Sequence, residues 1–203
     1  MITHRKIPFL KISFSIIMSI IVTLVSYYYV NAKQGKSMTL KETHLSDRQK
    51  QLLAQPPLGD DVYIDKLIVE KSKREMHAYQ NGQLVKTYPI ALGKNPIGHK
   101  QFEGDKKTPE GIYTIDDRNP NSSYHKNLGV SYPNERDVAF AKAHGKSAGG
   151  LIKIHGIKNG MGDIIGERHL LSDWTDGCIA VTDREMDELF DKVKLGSPIE
   201  ILP

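Results

Sequence analysis

The chain contains a single cysteine, Cys178, directly preceded by Thr175-Asp176-Gly177. A glycine before a nucleophile lets the backbone approach closely and aims amide N–H groups at a developing oxyanion, so this turn suits chemistry better than core packing. A lone exported thiol has two other fates, burial as an inert side chain or pairing between chains, and both stand beside the catalytic reading. Upstream, Ile152-Lys153-Ile154-His155-Gly156 reads as a short strand ending in an imidazole with room beside it. A thiol of reference pKa about 8.5 is mostly protonated at neutral pH, and a nearby imidazole makes the thiolate available for acyl transfer. Of the eight histidines, His4, His44, His77, His99, His125 and His144 lack a comparable setting, and His169 is the main competitor for the base. One cysteine and scattered histidines offer no zinc-ligand spacing, so neither a metal nor another cofactor is expected.

The elements that must position this pair are mostly strands. Residues 62–92 alternate apolar and polar side chains through Ile64, Leu67, Val69, Met76, Ala78, Leu84, Tyr88, Ile90 and Leu92, and Asn81-Gly82 interrupts them as a hairpin turn. Further strands are expected at Gly111 to Asp116, Leu151 to His155, Cys178 to Val181 and Pro198 to Leu202, without the regular spacing of βαβ units. Thr182 to Glu185 reads as a capping box, followed by Met186, Leu189, Phe190 and Val193 at helical spacing before Gly196. A second, weaker helix is expected from about Arg136 to Ala143. Polar stretches from Asn119 to Tyr132 and from Gly156 to Trp174 read as loops, and Asn119 to Asn127 within the first of them reads as a lid. The expected fold class is mainly β, a mixed β-sandwich or barrel-like domain over residues 62–203 with one or two short helices.

The remaining sequence reads as an address. Ile12 to Val30 is a 19-residue run without charge, which at about 1.5 Å per residue spans roughly a 30 Å hydrocarbon core. Arg5, Lys6 and Lys11 precede it, and residues 1–32 hold no acid, so most of the +4 formal charge sits at the N-terminus. The positive-inside rule then leaves residues 1–11 in the cytoplasm and sends the rest across, as a signal-anchor or as a signal peptide cut after Val30-Asn31-Ala32. Residues 31–61 read as a polar tether, weakly helical around Leu45 to Leu53. No basic run with interleaved aromatics follows, which argues against nucleic acid as a partner, and no obligate protein partner is expected.

With these residues in hand, four separated segments resemble the L,D-transpeptidase (YkuD-like) catalytic domain, an exported cysteine acyltransferase of the bacterial cell wall. They are Lys71 to Gly93, Thr108-Pro109-Glu110-Gly111-Ile112-Tyr113, Ile154-His155-Gly156 and Thr175-Asp176-Gly177-Cys178-Ile179, in the family's order. The resemblance implies that Cys178 attacks the amide between the diamino acid and the terminal D-alanine of a peptidoglycan stem tetrapeptide. A thioester forms, and an amine from a neighbouring stem or a lipoprotein resolves it. It further implies that His155 is the base, that the Gly156 carbonyl orients its ring, that the Gly177 and Cys178 amides face the oxyanion, and that carbapenems acylate the thiol.

The chain departs from the common pattern, with Thr175 for Ser, Asp176 for His and Ala180 for Arg. Losing the guanidinium fork changes how a substrate carboxylate is held. Lys126, Arg136, Lys142, Lys158 and Arg168 are candidate replacements, and Thr175, Asp176, Tyr124, Tyr132, Trp174 and Arg168 are candidate groove residues. Three functions follow from the same residues: a transpeptidase, a hydrolase that gives the thioester to water as a carboxypeptidase or lipoprotein-releasing enzyme, and a non-catalytic peptidoglycan-binding module with an inert cysteine. All three place the domain on the extracytoplasmic face of the envelope.

Overall fold

The computed structural model describes residues 44–203. The span expected at 12–30 lies outside them, and among the described residues no helix is long and apolar enough to cross a membrane. The first element, α1 (Asp47–Leu53), starts at a capping box in which Ser46 and Gln49 exchange side-chain and backbone bonds. Residues 47–53 fall within the expected tether, yet they dock: Leu52 and Leu53 are buried, Arg48 pairs with Glu75, and Gln55 donates to the Thr87 carbonyl. Two adjacent leucines on one helical turn supply enough apolar area to hold this stretch against the domain.

Eight strands follow: β1 (Lys66–Glu70), β2 (Glu75–Gln80), β3 (Gln83–Pro89), β4 (Gly111–Asn119), β5 (Asn127–Val130), β6 (Lys153–His155), β7 (Ile179–Ala180) and β8 (Pro198–Leu202). They form one sheet in the order β3-β2-β1-β8-β4-β5-β6-β7, antiparallel except for the β1–β8 and β6–β7 pairs. Asn81 and Gly82 both take positive φ in the β2–β3 turn, as a tight hairpin requires. The chain leaving β3 then bridges to the far end of the order, with Ala91 pairing Ala180 and Gly93 pairing Thr175. The sheet therefore curls until its two ends meet. A single curled sheet replaces the two packed layers of a sandwich, and its concave side holds the core of Leu67, Val69, Met76, Ile115, Leu128, Ile154 and Ile179.

Four α-helices are present among the described residues, three of them within residues 62–203, where one or two were expected. Besides α1 they are α2 (Glu135–Ala143), α3 (Gly162–Ile165) and α4 (Asp183–Lys192). The helices read from the sequence are α2 and α4, with the weakly helical stretch at Leu45 to Leu53 falling on α1; Thr182 caps α4 through the Glu185 amide, and Met186 and Leu189 are buried. The long connection between β3 and β4 has no strand of its own and is tied down by two buried ammonium groups. Lys71 Nζ reaches the Gly98 and Thr108 carbonyls and Glu110, and Lys100 Nζ reaches the Phe102 carbonyl and Asp105.

Candidate active site

The turn carrying the thiol is built by one hydroxyl. Thr175 Oγ1 accepts from the Gly177 N–H at 3.1 Å and donates to the Cys178 carbonyl at 2.7 Å. Thr175 is 4% exposed, so its side chain holds the turn and is spent. Gly177 has φ +136°, and a Cβ there would lie 2.7 Å from the Lys107 carbonyl oxygen. Gly93 packs against it just as closely, since its own Cβ would fall 3.1 Å from Gly177 Cα, and its amide donates to Thr108 Oγ1. The Thr-Pro-x-Gly segment and the glycine after β3 thus act together as the floor under Cys178.

The imidazole comes from the neighbouring strand. In the parallel β6–β7 pair, Ile154 faces Ile179 and His155 faces Ala180. Side chains two residues apart on a strand share a face, so Cys178, His155 and Lys153 project from the same side. Cys178, which immediately precedes β7, is then the diagonal neighbour of His155 across the pair. His155 Nδ1 lies 2.7 Å from the Gly156 carbonyl. A carbonyl only accepts, so Nδ1 carries the proton and Nε2 keeps the lone pair of a base. Gly156 is needed for close approach, because a Cβ there would lie 2.5 Å from Asp183 Oδ1, itself the acceptor of the Ile157 amide.

Burial favours the uncharged form of both side chains. Burial lowers the His155 pKa, against the hydrogen bond to Gly156. Burial raises that of Cys178, against the Lys153 amide, its ammonium and that of Lys100, while Asp176 adds to the rise. The resting thiol donates to the Leu151 carbonyl at 3.6 Å. A row of rings encloses the imidazole: Tyr124 at 4.9 Å, Trp174 at 5.6 Å, and behind Trp174 the ring of His169 at 6.5 Å. Tyr124 sits in the β4–β5 loop, which is stapled to the loop after β6. The Gly156 amide donates to the Tyr124 carbonyl, and the Asn159 side chain bonds the His125 amide and the Ser122 carbonyl. The expected lid is therefore a fixed wall beside His155.

This geometry agrees with the comparisons. The profile described as YkuD, L,D-transpeptidase catalytic domain, matches residues 50–201. The chain belongs to that family. It is 32% identical over 158 residues to the putative L,D-transpeptidase YafK of Escherichia coli K12, covering 74% of this chain and 53% of that protein. Its fold is similar to the helical cell shape determining protein Pgp2 of Campylobacter jejuni, at 26% identity and TM-score 0.51, covering 70% of this chain and 48% of that one. Bd1075 of Bdellovibrio bacteriovorus is 28% identical with TM-score 0.48, covering 73% and 51%. The chain thus spans about half the length of the relatives it matches.

Within the L,D-transpeptidase domain, the structure sorts the expected site residues. Cys178, His155, Gly156, Gly177 and Thr175 come together, though the Gly177 amide is engaged by Thr175 and is not free for an oxyanion. Trp174 stands beside His155. Asp176 is exposed and pairs with Lys94 at 3.1 Å. Tyr132 does not reach the site: it is buried in the core, its hydroxyl donating to the Ala148 carbonyl and its ring edge-on to Tyr113. Its aromatic ring in a polar stretch reads as groove lining, but the strand just before it carries it inward. Arg168 is exposed in the 3-10 segment Gly166–Leu171. Of the other expected cations, Lys126 pairs with Asp187. Arg136 lines a cleft of about 910 Å3 formed with His99, Tyr113 and Phe140, apart from the thiol.

The cations that act on Cys178 are Lys153 and Lys100 instead. Lys153 is readable as the same-face neighbour two residues before His155; Lys94 and Lys100 lie in the β3–β4 connection, far from Cys178 in sequence, with no local signal. A cleft of about 790 Å3 opens beside the nucleophile, lined by Lys94, Lys100, Lys106, Leu151 and Asp176 among others. Ala180, where the common pattern has Arg, is fully buried.

Proposed function

We propose that this domain is a peptidoglycan L,D-transpeptidase. The reading is supported by the register of β6 and β7, in which Cys178 lies two positions before the residue opposite His155, and by the Nδ1–Gly156 bond that leaves His155 Nε2 its lone pair. The sulfur turns from the Leu151 carbonyl to His155, gives its proton to Nε2 and attacks the carbonyl carbon between the diamino acid and the terminal D-alanine. With the Gly177 amide held by Thr175, the Cys178 amide is left to face the oxyanion. As the C–N bond breaks, the imidazolium returns its proton to the departing D-alanine nitrogen. An amine from a neighbouring stem then attacks the thioester, loses a proton to His155 and restores the thiol.

The stem lies along the 790 Å3 cleft, whose lysines suit its carboxylates. The domain works on the extracytoplasmic face of the envelope, held to the cytoplasmic membrane through residues 12–30. Water in place of the amine gives the second reading, with the same thiol and imidazole. Incubation with tetrapeptide muropeptides should release D-alanine and lose that activity on Cys178→Ala. Product masses separate a new cross-link from a shortened stem, and D-alanine release by Cys178→Ala would refute both.

A further inference from the structure

One buried polar cluster has no part in the chemistry above. His169 is 5% exposed, and among the described residues neither of its ring nitrogens meets a hydrogen-bond partner; Trp174 Nε1 is likewise buried without one. A neutral imidazole offers one donor and one acceptor, and an indole one donor. Leaving such groups unpaired in the interior costs stability, so a phenylalanine or leucine at 169 would serve packing better. The cluster stands directly behind the ring that flanks His155, in the order His169, Trp174, His155, with centroid spacings of 6.5 and 5.6 Å.

We propose that His169 is a positioning residue for proton transfer from Cys178, acting through Trp174 to stabilise the imidazolium of His155. The unpaired dipoles gain nothing while His155 is neutral and interact favourably once it is charged, so their cost falls on the resting state and their benefit on the ion pair. Trp174 and Tyr124, whose ring centroids lie within 6 Å of the imidazole, enclose it on two sides. His169 is kept neutral for this role, since burial, and then the nearby His155, push its pKa down to about 4. The titratable groups around the row are Cys178 with Lys153, Lys100 and Asp176 acting on it, Asp183 at the Ile157 amide, His125 on Asp187, and the Arg74–Asp173 pair beside Trp174.

The inference rests on the Cys178–His155 pairing of the proposed function but not on its substrate, so the test uses iodoacetamide and no peptide. At neutral pH the alkylation rate of Cys178 reports the thiolate–imidazolium pair; at alkaline pH it reports the thiolate alone. In His169→Phe the ratio of neutral to alkaline rate should fall about twofold, the effect of a charge–dipole interaction carried across the Trp174 ring rather than a direct contact, while the melting temperature rises. His169→Gln, which keeps a donor and an acceptor, should recover part of the ratio. An unchanged ratio in His169→Phe, a melting temperature below the parent's, or equal loss in the Phe and Gln variants would overturn the inference. A domain that passes this test yet fails to acylate on tetrapeptides would lose its proposed substrate and keep this residue's role.

Discussion

Replacing Thr175 by Val removes one oxygen and leaves the shape of the side chain. The Gly177 N–H and the Cys178 carbonyl, now bonded to Thr175 Oγ1 at 3.1 and 2.7 Å, both lose their partner. A buried polar group left unsatisfied costs about 1–3 kcal/mol. Gly177 is buried and Cys178 half-buried, so the pair should cost about 2–4 kcal/mol on that scale. Thr175→Ser keeps the hydroxyl and loses one methyl group, at about 1 kcal/mol. Urea unfolding of both variants measures this as a shift of midpoint at constant slope. The Ser variant should also keep the parental thiol alkylation rate, whereas the Val variant, with its turn released, should not. A Val variant with the parental midpoint, or one that only weakens stem-peptide binding, would refute the claim that this hydroxyl builds the turn, and would return Thr175 to the substrate groove.

Three further outcomes are expected. Gly93→Ala should be strongly destabilising by thermal melting, since its Cβ would fall 2.3 Å from the Lys106 carbonyl oxygen and press on Gly177; backbone on both sides leaves little room to relax. Lys94→Met should leave stability within about 1 kcal/mol in urea, because Lys94 and Asp176 are 50% and 77% exposed and such ion pairs contribute little. A fall in pH should destabilise the domain through His169: its folded pKa, about 4 against 6.5, lies below that of the unfolded chain. The contribution is therefore intact above pH 6.5 and is lost as the pH falls toward 4, by about 3 kcal/mol. Urea midpoints at pH 7 and pH 4 should show a smaller drop in His169→Phe than in the parent, and an equal drop would contradict the assignment.

The parts of the fold readable in the sequence are those fixed by neighbours in the chain. Asn81-Gly82 specifies its turn through two residues that accept positive φ, and Thr182 with Glu185 specifies the start of α4, because each signal is complete within four residues. The strand β5 was not legible. Its four residues include Gly129, where a Cβ would lie 2.4 Å from Asp116 Oδ1, and they are strand only because β4 and β6 pair on either side. At the site, the sequence singles out Cys178, His155 and the two glycines beside them because the proposed chemistry would constrain their residue types locally. The Lys94–Asp176 contact was not, since 82 positions separate its partners. The role of Thr175 was misread: a buried hydroxyl that bonds the backbone two residues on looks, from sequence, like one offered to substrate.

The central claim is that Cys178 and His155 work as one acylating pair. Intact-protein mass spectrometry of the domain with a defined stem tetrapeptide tests it most directly. The account predicts a tripeptidyl adduct on Cys178 with D-alanine released, formed far more slowly in His155→Gln and absent in Cys178→Ala. An adduct that persists without Cys178, or one that forms at the parental rate without His155, would contradict it.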